Sequence, residues 1–164
     1  MAIGAVTAFI VGVELKNPWA ALLVAMLSGA LLASVHGVFT VGLGAEQVVS
    51  GLSLTILGLG LAAYLGKDYV GLPPGAELVP VEWGGLSDLP WIGPIFFNQA
   101  PIVYLALLMG IAVSLVLSST RLGLALRAAG ESASSTDSAC HSVLGLRLSA
   151  VAAGGALAGA SGAY

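Results

Sequence analysis

Charge is scarce in this sequence: five basic and eight acidic side chains in 164 residues, or 8%. A soluble domain carries about 25% charged residues, so this chain cannot build an ordinary water-facing shell. Five Lys and Arg with a net charge of −3 leave no basic stripe to displace counterions, which excludes a nucleic-acid binder. A single cysteine excludes a disulfide scaffold. His36, His141 and Cys140 are the only imidazoles and thiol. Cys140 and His141 are adjacent, and neighbours on a helix point about 100° apart, so neither a zinc site nor a nucleophile–base pair is expected there. Disorder is excluded by the 58% hydrophobic content, the reverse of a disordered composition.

Long uncharged runs are abundant instead, at 1–13, 17–45, 47–66, 89–120 and 148–164. With a mean hydropathy of +1.02, they predict an all-α, polytopic transmembrane helix bundle. Five spans are expected, at about 1–13, 18–37, 47–66, 100–119 and 144–164. Ten-residue alternation, the mark of a membrane β-barrel, is missing. Met1–Val13 lacks the basic start of a signal peptide, and reads as a membrane helix cut short. The stretch ending at Tyr164 stops inside an apolar run. A fragment lacking residues at both ends is therefore expected.

The punctuation between spans sets sidedness. Residues 67–99 hold prolines 73, 74, 80, 90 and 94, Trp83, Trp91 and four acids, and predict an ordered extracytoplasmic loop whose tryptophans anchor at the interface or meet a delivering protein. The segment 120–143 is polar and serine-rich and carries Arg121 and Arg127, with Arg147 just beyond, which places it in the cytoplasm. Alternation then puts 38–46 inside and Glu14–Asn17 outside. An amphipathic helix is expected after Gly130, capped by Ser132, Ser134 or Ser135.

Ala21, Ala25, Gly29, Ala33 and Gly37 recur every four residues, as do Gly155 and Gly159. Such faces let helix backbones approach closely, either as plain packing or as a moving interface. Polar groups inside spans need protein or water. Gln47 and Ser50, with Ser53, lie toward one side of a helix and are candidate contacts along a solute path for an uncharged polar solute. Ser53 and Thr55 can equally bond their own helix carbonyls. Gly66-Lys67 imitates the end of a phosphate loop, but Leu61 and Asp68 stand where glycine and Ser or Thr are required, so this chain is not expected to bind ATP.

The segment Leu126-Arg127-Ala128, Gly130-Glu131, Asp137, Ala139 and Val143 resembles the cytoplasmic coupling loop of inner-membrane permeases in bacterial ABC importers, the branch with ribose, branched-chain amino acid and nucleoside systems. Ala133, Ser135, Thr136, Cys140 and His141 replace that loop's usual proline, alanines, glycine and isoleucine. Gly44-Ala-Glu-Gln-Val-Val-Ser-Gly-Leu-Ser-Leu54 is similar to the nucleoside members, with Glu46 in place of asparagine. Leu89–Gln99, Pro101–Tyr104 and Leu157–Tyr164 resemble the same branch.

The resemblance implies a permease subunit of an ATP-driven importer, for nucleosides, in the bacterial inner membrane. An extracytoplasmic solute-binding lipoprotein would deliver solute, and a second permease subunit, the same or homologous, would complete the path. Cytoplasmic ATPase subunits would bind ATP, leaving this chain without a cofactor and without catalysis. Arg127, Gly130, Glu131, Ser132, Asp137 and Ala139 would couple to the ATPase. The alternatives are a sugar or branched-chain amino acid permease, or a non-transporting truncated remnant.

Overall fold

The computed structural model describes residues 1–75, 99–132 and 142–164, and every regular element among them is a helix. In chain order these are α1 (Ala2–Leu15), α2 (Pro18–Gly37), α3 (Gln47–Gly66), α4 (Pro101–Ser119), α5 (Arg121–Glu131) and α6 (Val143–Gly162). A π-helical segment, Val38–Gly42, prolongs α2, and a 3-10 turn, Lys67–Tyr69, prolongs α3. Four of these stretches, Pro18–Gly42, Gln47–Tyr69, Pro101–Ser119 and Val143–Gly162, are long and apolar enough to cross a membrane; α1 is shorter and equally apolar.

Local chemistry explains where the helices start and stop. Asn17 Oδ1 accepts from the backbone N–H of Trp19 at 3.0 Å and of Ala20 at 3.4 Å, and Pro18 occupies the first helical position. That pairing of a side-chain cap with a pre-set proline opens α2. Ser142 opens α6 in the same way, accepting from Gly145 N–H at 3.2 Å. Between α1 and α2 the chain reverses through Lys16, the one non-glycine residue at positive φ (50°) among the described residues. Pro101 begins α4, and Thr120 ends it and accepts from Gly123 N–H at 3.1 Å to start α5.

The chain forms two compact units, Met1–Ala76 with Ala125–Tyr164, and Glu77–Leu124. In the first, α2 packs closely along α6 and along α1, whereas α3 meets α1 and, more sparsely, α2. Its core is alanine and glycine: Ala8, Ala21 and Ala25 cluster with Val11 and Ala163, and among the described residues no large side chain is fully buried. Leucines 23, 27 and 31 face outward at 61, 69 and 68% exposure. This inverts a soluble core, and it is what hydrocarbon surroundings favour, since burying leucine against leucine gains little over leucine against lipid. The last turn of α1 and the 3-10 turn after α3 lie together, with Tyr69 Oη donating to Glu14 Oε1 at 3.1 Å. In the second unit, α4 has no buried residue.

The structure adds one helix to the 120–143 segment, where a helix was expected after Gly130: Arg121–Glu131 is itself helical. Its physical basis is an alternation of alanine and leucine: Ala125 and Ala129, four apart, are buried, while Leu122 and Leu124 are exposed.

Candidate functional site

Two features of α2 define the candidate site. The first is a seam of small residues against α6. A Cβ added at Gly155 would meet Ala33 Cβ and lie 2.6 Å from Gly29 O; one added at Gly159 would meet Ala25 O. At Gly4 of α1 it would lie 2.5 Å from Gly159 O. Backbone therefore touches backbone, and hydrogen is the only side chain that fits. Gly154, one position away, faces open space.

The second feature is polar and lies on the side of α2 toward α3. His36 Nδ1 and Ser50 Oγ share a hydrogen bond of 3.0 Å, linking the two helices. Next to it lies a groove of about 440 Å³, whose lining includes His36, Phe39, Glu46, Ser50 and Ser53. The backbone here departs from α geometry. Leu43 N–H reaches Val38 O at 3.0 Å, Ala45 N–H reaches Phe39 O at 2.9 Å, and Thr40 Oγ1 donates to His36 O at 2.9 Å. Such π segments are frequent at functional sites.

Of the candidate path residues, Ser50 and Ser53 line this groove, while Gln47 is exposed in the first turn of α3 and is not part of the lining. Ser53 Oγ donates to Val49 O at 2.9 Å and Thr55 Oγ1 to Gly51 O at 2.9 Å, so both hydroxyl protons stay within their own helix. His36 was missed by sequence reasoning, which weighed histidine only for metal and catalysis. The usable signal was a lone ionisable group inside an apolar span.

The coupling candidates fall at the C-terminal end of α5. Arg127, Gly130 and Glu131 are exposed, and Ser132 N–H donates to Ala128 O at 2.8 Å just past the helix. A Cβ at Gly130 would meet nothing within 4 Å. Asp137 and Ala139, like the helix expected over 132–141 from 133 on and most of the 67–99 loop with Trp83 and Trp91, lie outside the described residues. An unforeseen contact fixes this end of α5: Arg147 Nη2, on α6, donates to Ala129 O at 2.8 Å. A helix leaves its last four carbonyls unpaired, and a cationic donor there also complements the helix dipole.

Comparison with known proteins decides the family. The model for the permease component of branched-chain amino acid transport systems matches residues 1–164. The chain belongs to this family. It is a multi-pass membrane protein. Among its relatives, a Haloferax volcanii protein named a putative glucose ABC transporter permease is 36% identical over 169 residues, covering 100% of this chain and 51% of that protein. A nucleoside ABC transporter permease of Lactococcus lactis is 36% identical over 155 residues, covering 90% and 48%. A guanosine ABC transporter permease of Bacillus subtilis is 31% identical over 154 residues, covering 88% and 47%. The chain spans about half the length of the curated relatives it matches. No solved structure matches the chain.

Proposed function

We propose that this chain belongs to the permease subunit of an ATP-driven importer and forms part of the path for an uncharged, polyhydroxylated solute. The family match over the full 164 residues carries this reading. A nucleoside is the favoured solute, supported by the 44–54 segment and by two relatives named for nucleoside and guanosine. The glucose-named relative, at 36% identity over the whole chain, supports a sugar as the second reading.

In this proposal ATP is bound and hydrolysed by separate cytoplasmic ATPase subunits, a second permease completes the path, and a solute-binding lipoprotein delivers from outside. The end of α5 and the 38–46 turn face the cytoplasm, and Glu14 with the 67–99 loop face outward. Arg127, Gly130, Glu131 and Ser132, with Asp137 and Ala139 beyond, meet the ATPase. A push on α5 passes through the Arg147–Ala129 bond into α6. From there the backbone-to-backbone seam carries it to α2 as a rigid-body motion. The chain's work is thus mechanical and conductive.

The test is uptake into vesicles holding the permease with its ATPase and binding protein. ATP-dependent accumulation of labelled uridine that unlabelled guanosine suppresses and glucose does not is the expected result. Glucose accumulation without nucleoside competition would transfer the assignment to the sugar, and no ATP-dependent accumulation of either would overturn it.

A further inference from the structure

We infer that the α2–α3 groove is a subsite for the vicinal hydroxyls of a sugar ring, with Glu46 accepting from the hydroxyl pair and the His36–Ser50 pair making a second contact. The inference deepens the proposed function and rests on it. The groove's volume of about 440 Å³ falls within the range of small-molecule sites, about 300–1,000 Å³, that combine apolar walls with a few placed polar groups. Its apolar wall includes Phe39 and Leu57; its polar atoms come from Glu46, His36 and two serines.

The polar set is specific in kind. An ionised carboxylate only accepts, through two oxygens, and so complements two neighbouring hydroxyl donors. Nucleotide-binding folds use an acidic side chain against ribose hydroxyls for the same reason. A nucleobase edge presents donors and acceptors side by side, which an Asn or Gln amide matches, and among the described residues no amide side chain lines this groove. Recognition therefore falls on the sugar. Phe39 offers a flat apolar surface for the carbon face of the ring. His36, engaged through Nδ1 with Ser50, keeps Nε2 for a ring hydroxyl. Ser53, whose proton is committed to Val49 O, still has lone pairs to accept. A ribose and a hexose share the vicinal hydroxyls, so one groove could serve either solute that the relatives' names suggest.

Two experiments test this. In vesicles carrying the complete importer, the uptake ratio of uridine to 2′-deoxyuridine is compared between wild type, Glu46→Gln and Ser50→Ala. The binding protein is identical in every arm, so a difference between variants belongs to the permease. Expected is an about tenfold change of the ratio in Glu46→Gln, the size of one lost hydrogen bond to a charged group, and a smaller change in Ser50→Ala. An unchanged ratio with uptake retained would overturn the subsite. The second experiment needs only the permease in vesicles: Ser53→Cys in a Cys140→Ser background is labelled with a thiol reagent. Protection by millimolar uridine and not by 2′-deoxyuridine supports the subsite; equal labelling with either nucleoside present removes it. Because labelling is independent of ATP, a wild-type importer that accumulates neither solute would sink the proposed function while the labelling still judges the groove.

Discussion

The two sides of α2 are built on opposite principles. Toward α6 it presents Ala25, Gly29 and Ala33, and the backbones touch with no room for another methyl group. Toward α3 it presents His36 and Phe39, packs sparsely and leaves a groove held by one hydrogen bond. One side behaves as a weld and the other as an adjustable wall. The two share the end of the helix on different faces: the small-residue face runs from 21 to 37, while His36 in the last turn and Phe39 in the π segment beyond border the groove.

The largest expected effect breaks the weld. Gly159→Ala drives a methyl group into Ala25 O and should destabilise the α2–α6 pair by about 3 kcal/mol, read as a lower midpoint of thermal unfolding in lipid or detergent. Gly154→Ala, which meets open space, should raise the midpoint slightly, since alanine outranks glycine in a helix. Equal effects at the two positions would mean that α6 does not face α2 as described.

Removing Arg147 tests whether the weld extends to α5. Arg147→Ala deletes the bond to Ala129 O and should cost about 1.5 kcal/mol, with faster amide exchange confined to the end of α5. Arg147→Lys should restore part of it.

On the wall side, a double-mutant cycle of His36→Ala and Ser50→Ala should give a coupling of about 1 kcal/mol. A coupling near zero would mean that the pair does not tie α2 to α3. The smallest effect belongs to Gly130→Ala, expected within about 0.5 kcal/mol of wild type, so that any loss of uptake there would support the proposed ATPase contact and not a folding defect.

The weld was legible in the sequence because it is local. Ala21, Ala25, Gly29, Ala33 and Gly37 repeat with the period of a helix, and glycines at 155 and 159 announce a partner of the same kind. The wall was not, because it joins residues of different helices: nothing in the spacing of His36 and Ser50 shows that a π turn and a short loop will bring them to 3.0 Å. Ser53 read as a candidate path residue; it lines the groove, and its proton is spent on Val49, a choice that depends on backbone geometry. The helix at 121–131 was obscured by Gly123 and Gly130, which look like breaks. Gly123 is in fact packed on the backbone of Val116 and Leu117, a close approach that glycine permits and propensity does not reveal.

The π segment has a consequence for length tolerance. Its bonds skip one residue more than α-helical bonds, so Val38–Gly42 holds a spare link in the chain. Deleting one residue there lets the segment relax to α without rotating anything before Gly37, and the turn to α3 takes up the shift. The same deletion inside 21–37 would swing every later contact of the helix by about 100°. Among the described helices, capacity for insertion and deletion therefore lies in this segment, beside the groove, where a change of register alters the lining and leaves the frame intact.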